Sequence, residues 1–208
     1  MSPEEIQELA RSTISAESAS VAGLLDQIDE TFVEVAHTLL NCRGHVLVAG
    51  SGTNNPVAAR FAHLLSCSGT PALFIHPGDS QHGLSGAVTD RDVLVAISKG
   101  GTTAEVNVLV EIARKRGATI VGIMEVPDSP LGRMSDLILR VQPAADVDPY
   151  GMIAIGSSLT TCAMTDAMCT VLLHLRGYTK ESFGETHPGG AVGKKLQAEQ
   201  TEEGASFL

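Results

Sequence analysis

The sequence predicts an α/β fold, a three-layer αβα sandwich around a five-stranded parallel sheet. Two observations predict it. Short continuous apolar runs, such as His45 to Ala49 closed by Gly50, have the length and character of strands buried on both faces. Longer helical stretches alternate with them, and that alternation demands right-handed crossovers and therefore parallel strands.

The elements follow in order. Val21, Leu24, Leu25, Ile28, Phe32, Val35, Ala36 and Leu39 recur at steps of three and four, which predicts one amphipathic helix ending near Gly44. The first strand is His45 to Ala49; the others are Ala72 to Ile75, Val93 to Ile97, Thr119 to Met124 and Leu137 to Val141. Helices are expected at Val57 to Leu65, at Thr103 to Arg116, and from the hydroxyl cluster at Gly156 to near Arg176.

With 208 residues, 43% hydrophobic and 18% charged, one well-buried domain is expected over residues 1–196, including the N-terminal helices, followed by a polar tail at 197–208. A formal net charge of −10 argues against nucleic-acid binding, which needs a concentrated basic surface. It leaves room for a small anionic ligand, since a few local donors can hold one phosphate. The acidic opening Met1 to Glu5 lacks the features of a secretory signal and no apolar stretch is long enough to span a bilayer, so no membrane association and a cytoplasmic location are expected. Cys42, Cys67, Cys162 and Cys169 have no CxxC spacing and read as buried thiols, with no metal site expected.

Ligands of such a sheet bind beyond the carboxyl ends of its strands. The loop after the first strand, Gly50-Ser51-Gly52-Thr53-Asn54-Asn55, followed by Pro56 in the first turn of a helix, has the composition of a phosphate cradle, although a plain turn also explains it. It matches neither the GxxxxGK[ST] loop nor GxGxxG. After the third strand comes Ser98-Lys99-Gly100-Gly101-Thr102-Thr103, in which Thr102 and Glu105 have capping-box spacing. Lys99 either faces an anion or extends into solvent. A third cluster, Gly156-Ser157-Ser158-Leu159-Thr160-Thr161, opens the long apolar helix, with N-capping as the bland account of Ser157 and Thr160. Three such starts converging on one sheet edge predict a polyoxygenated, phosphorylated ligand. Ser51, Ser98, Thr103 and Ser157 are expected to meet on one tetrahedral anion.

The chain resembles the sugar isomerase (SIS) domains, and among them arabinose 5-phosphate isomerases. The resemblance runs from the first helix to Leu196 and includes Gly69-Thr70-Pro71, the His76 to Gly83 segment, Ser98 to Glu105 and, most specifically, His187-Pro188-Gly189-Gly190-Ala191-Val192-Gly193-Lys194-Lys195-Leu196. It implies a flavodoxin-like sandwich, a phosphorylated sugar as ligand, aldose-ketose isomerisation without a cofactor, and a homo-oligomer, tetramer or dimer. Such isomerases usually continue into paired CBS modules; this sequence stops after a polar tail, so that form of nucleotide regulation is not expected.

The departures fall where the resemblance would put catalysis. Thr53 stands where lysine is typical, Thr102 where many relatives have glutamate, Gly100 where a serine is common, and Asp146 in place of another acidic residue; His187 is preserved. Isomerisation needs a base and an electrophile. The candidate bases are His187, Asp146 and Glu125, with Glu105 behind them, while His82 and Lys99 are candidates to polarise oxygen or hold substrate. Asp146 and Glu125 also read as solvated loop carboxylates, and His76 and His82 as residues that fix their loop. A sugar-phosphate sensor and a SIS lyase or deaminase-like enzyme stay open. His187, in a glycine-rich segment with little core of its own, is expected to complete a neighbouring subunit's pocket.

Overall fold

The computed structural model describes residues 1–143, 147–148, 150–191, 193–196 and 198. Strands β1 (Val46–Gly50), β2 (Ala72–Phe74), β3 (Val93–Ile97), β4 (Thr119–Met124) and β5 (Leu137–Arg140) form one sheet in the order β2-β1-β3-β4-β5, all neighbours parallel. Alternation of side chains across the strands sorts the core into two layers. Val46, Val48, Val93, Val95, Ile97, Val121 and Ile123 pack on one face against α2 (Glu30–Leu40), α3 (Asn54–Cys67) and α7 (Ile155–Leu175). Leu47, Ala49, Leu94, Ala96, Ile120 and Met124 pack on the other against α5 (Ala104–Lys115) and α6 (Pro130–Met134). The predicted αβα sandwich is the observed architecture.

The N-terminal helix differs from expectation. The apolar stripe from Val21 to Leu39 is divided between the end of α1 (Pro3–Ala22), a 3₁₀ turn at Leu25–Gln27 and α2. The break has a local cause, because Asp29 adopts an extended conformation and accepts the Phe32 N–H at 3.1 Å as the cap of a new helix. Gln27 then exchanges two hydrogen bonds with the Gln142 backbone, at 2.8 and 2.9 Å, pinning the turn to the segment after β5. Helical spacing survives the interruption, so the stripe conceals it. Ser20 is the buried residue of α1, whose Ile6, Leu9 and Ile14 are each more than half exposed.

A second correction concerns the cysteines. Cys169 is buried, and burial pushes its thiol up to about 12, but Cys42, Cys67 and Cys162 are half-buried. No helix among the described residues is long and apolar enough to cross a membrane. The polar tail, apart from residue 198, lies outside the described residues.

The edge of the sheet remote from the ligand loops is held by Asp92. Its carboxylate accepts the His45 N–H at 2.7 Å, the Thr89 N–H at 2.6 Å and the Thr89 hydroxyl at 2.8 Å, joining the start of β1 to the turn before β3. Burial opposes its ionisation, yet these bonds outweigh burial and hold the carboxyl below the ordinary aspartate range. Asp92→Ala should cost about 2–3 kcal/mol in urea unfolding, since two backbone donors lose their partner. A carboxylate with a depressed folded pKa stabilises above its unfolded value of about 3.9, and this contribution fades as pH falls through the folded value. The gap between wild type and variant should therefore close in acid; a gap independent of pH would contradict the ionised role.

Candidate functional site

The strand order reverses between β1 and β3, and in an open parallel sheet the ligand crevice lies outside the carboxyl ends of the strands at such a switch point. Gly50 and Ile97 are in register there, so Ser51 and Ser98 leave the sheet side by side. The β1 loop turns tightly. A Cβ at Gly50 would come within 2.5 Å of the Asn54 carbonyl oxygen, and Gly52 has φ +59°. The β3 loop is braced from behind, with Gly101 at φ +65° so close to Ser129 that a Cβ would lie 2.0 Å from its hydroxyl oxygen. The Gly101 carbonyl accepts from the Leu131 N–H at 3.0 Å and from the Asn107 side-chain amide at 3.3 Å.

Three helices that begin around this switch point, α3, α5 and α7, have no side-chain cap, and neither α5 nor α7 has the cap its sequence suggested. Thr103, not Thr102, precedes α5, and its hydroxyl lies 2.9 Å from that of buried Ser98 instead of accepting from the helix. The expected box between Thr102 and Glu105 therefore does not form. α7 starts at Ile155, earlier than the hydroxyl cluster suggested, so Ser157 and Thr160 lie inside it rather than capping it. Thr53 precedes α3 without a side-chain bond to it. The contrast is informative: α1, α2, α4 (Pro77–Ser80), α6 and α8 (Lys180–Thr186) all have side-chain caps, from Ser2, Asp29, His76, Ser129 and Thr179. Uncapped helix starts leave donors and positive potential facing the crevice. The β1 loop supplies fewer amides than expected. The N–H groups of Asn54 and Asn55 are taken by the carbonyls of Ser51 and Gly52, and Pro56 has none.

Beside these helix starts, Asn54, Lys99, Glu125, Ser157 and Thr161 line a small cleft floored by Ile97, Ile123 and Val141. Lys99 and Glu125 extend the neighbouring strands β3 and β4. The Glu125 N–H donates to the Lys99 carbonyl at 2.9 Å, and the lysine Nζ stands 3.8 Å from Glu125 Oε2. That oxygen is buried and takes no hydrogen bond. It is thus an unbonded carboxylate oxygen beside a cation, in a cleft that Ser157 and Thr161 also line and that Ser51, Ser98 and Thr103 do not.

Other nominated residues lie elsewhere. Ser158 is turned back into α7, its hydroxyl donating to the Ala154 and Ile155 carbonyls, and does not line the cleft. Thr102 is exposed, and His82 is exposed on the segment after α4. Asp146 lies outside the described residues. His187 stands beside Cys67 at the far end of α3, on the order of 20 Å from Asn54 at 1.5 Å per residue. Its own chain's cleft does not include it. Thr161, Asn107 and Ser129 were not singled out from sequence. Thr161 sits within the hydroxyl cluster, and the Ser129-Pro130 pair has the pattern of a helix start. Among the described residues no group of His, Cys, Asp or Glu is arranged to hold a metal.

Residues 39–171 match the family model described as the SIS domain. The chain belongs to the SIS-domain family. It is 35% identical over 187 residues to the arabinose 5-phosphate isomerase KdsD of Pseudomonas aeruginosa, covering 90% of this chain and 57% of that protein. The chain thus spans little more than half the length of the curated relatives it matches. Among solved structures, the SIS fold seen here superposes with TM-score 0.88 on a Listeria monocytogenes protein of inferred sugar-phosphate isomerase activity, 32% identical, over 91% of this chain and all of the other. It also superposes with TM-score 0.87 on the Escherichia coli CFT073 protein c3406 in complex with arabinose 5-phosphate, 26% identical, over 90% of this chain and all of that one.

The brace behind the β3 loop can be tested on its own. Gly101→Ala should destabilise the SIS domain by about 1–3 kcal/mol, from the positive φ and the contact with Ser129. In a Ser129→Ala background the same substitution should cost less, because the 2.0 Å conflict with the hydroxyl is gone while the backbone strain and the 2.7 Å approach to the residue 129 Cβ remain. Equal costs in both backgrounds, measured by denaturant unfolding, would dissociate the glycine from the Ser129 contact.

Proposed function

We propose that this SIS domain is an aldose-ketose isomerase acting on a phosphorylated sugar of the arabinose 5-phosphate class through an enediolate. The observation that carries the reading is the meeting of three uncapped helix starts with an unbonded, buried carboxylate oxygen at the switch point of the sheet. The Ser98 and Thr103 hydroxyls, with Ser51 and Ser157, hold the phosphate, and the helix starts balance its charge. Lys99 places an ammonium where the carbonyl oxygen gains charge during enolisation. Glu125 Oε2 takes the proton from the carbon beside the carbonyl and returns it to the neighbouring carbon, with Asp146 a further carboxylate candidate. In this reading Lys99 and Glu125 compensate for threonine at positions 53 and 102. The arabinose 5-phosphate bound in the Escherichia coli structure and the KdsD relatives support the substrate class.

The decisive measurement is deuterium incorporation from heavy water into arabinose 5-phosphate and other pentose, tetrose and hexose phosphates. At least one should gain deuterium at the carbon beside the carbonyl. Glu125→Gln should lower its turnover by about 10²–10⁴-fold, the usual worth of a positioned base. Thermal stabilisation by a sugar phosphate without any exchange would instead make this chain a sensor.

His187 is proposed to act in the pocket of another subunit, because its place at the far end of α3 removes it from its own. The exposed Ile6, Leu9 and Ile14 of α1 offer apolar surface for a homo-oligomer. If His187→Ala and Ser98→Ala chains are co-refolded, hybrid oligomers should regain some fully wild-type pockets and measurable turnover. Proven subunit mixing without recovered activity would rule out the shared site.

A further inference from the structure

The surroundings of His187 specify which of its two ring nitrogens is available, and they do so through residues that the proposed chemistry has not used. The Phe183 carbonyl lies 2.9 Å from His187 Nδ1. A carbonyl only accepts, so in the neutral ring Nδ1 carries the proton and Nε2 keeps a lone pair. The Thr186 hydroxyl, 3.0 Å from Nδ1, can share that proton as a second acceptor. The Phe183 ring stacks on the imidazole at 3.8 Å between centroids and 13° between planes, fixing the plane of the ring.

The remaining nitrogen faces a thiol. Cys67 Sγ lies 3.5 Å from His187 Nε2 and also 3.5 Å from His63 Nε2, one helical turn earlier on α3. A thiol has one proton to give and accepts weakly through sulfur. Since His187 Nε2 is the acceptor, the Cys67 S–H points to it, and His63 completes the set by donating its own Nε2–H to the sulfur. All three groups are then satisfied in only one arrangement of protons.

We infer that Cys67 is a positioning residue for His187, donating its S–H to the Nε2 lone pair that the Phe183 carbonyl leaves free and so directing that atom as the proton acceptor, and that His63 orients the thiol. A thiol suits this task because it is a weak donor. It keeps the lone pair directed in the free protein and yields it readily to a substrate hydroxyl or carbon acid. The catalytic consequence rests on the proposed role of His187, whereas the tautomer itself does not.

Imidazole nitrogen spectra of the full chain, labelled with ¹⁵N-histidine, read the two parts separately. The wild type should show His187 with a protonated Nδ1 and an unprotonated Nε2 above its titration range. Cys67→Ala should keep the Nδ1–H form, which the Phe183 carbonyl sets, but shift the Nε2 resonance as its hydrogen bond is lost, while Cys67→Ser, which keeps a donor, should retain the wild-type signal. Turnover should fall roughly tenfold in Cys67→Ala, as on removing an outer partner that orients an imidazole, with KM unchanged and with recovery in Cys67→Ser. A wild-type Nε2–H form, or His187 signals unmoved by Cys67→Ala, overturns the inference. So does a shifted Nε2 resonance with unaltered turnover in an active enzyme. If the spectra follow expectation but no sugar phosphate is isomerised by the wild type, the proposed reaction fails and the Cys67–His187 geometry stands.

Discussion

Two crossovers part at the centre of the sheet, and the candidate site exists because they part. α3 leaves β1 for the face it shares with α2 and α7, while α5 leaves β3 for the face it shares with α6. Neighbouring parallel strands whose chains depart to opposite faces leave a crevice at their carboxyl ends that neither helix can fill. Two helix starts must then face the crevice, and the start of α7 joins them above β4. At α5 and α7 the first amides have no side-chain acceptor, and Thr103 bonds Ser98 instead of capping α5, whereas at α3 the Asn54 and Asn55 N–H groups are taken by the Ser51 and Gly52 carbonyls. The starts of α1, α2, α4, α6 and α8 are closed by side chains.

Much of this architecture was legible in the sequence because the strands of a doubly covered sheet have no polar face. A run such as Val93 to Ile97 is buried at every position, so its apolar continuity survives reading without any partner in view. The break in the N-terminal helix was not legible, because periodicity measures spacing and Asp29 preserves the spacing while ending one helix and starting another. Capping was misread for a related reason. A threonine three residues before a glutamate states which bonds are available, but Ser98, distant by several residues and buried, decides which bond Thr103 makes.

The candidate site was legible in its parts and not in its grouping. Serines, glycines and Lys99 in the loops after β1 and β3 were expected together, and the sheet order brings them together. The pairing of Lys99 with Glu125 depended on β4 lying beside β3, which spacing alone does not fix. Ser158 could not be separated from Ser157 without knowing where α7 begins. The place of His187 beside Cys67 needed the packing of α8 against α3, a contact between segments 120 residues apart.

Lys99 and Glu125 have one more property that matters for how such a protein diversifies. Both are the second residues past a registered pair, Ile97 and Ile123, and they are tied to each other by a backbone hydrogen bond rather than through their side chains alone. The ladder therefore works as a ruler with fixed graduations. Side chains at those marks can be exchanged without disturbing the scaffold, but their separation cannot be tuned, because sliding one strand by a single residue would turn every core side chain to the wrong face. Chemical novelty at this edge has to come from substitution on a fixed grid, in the way a keyboard gains new meanings by relabelling its keys and not by moving them.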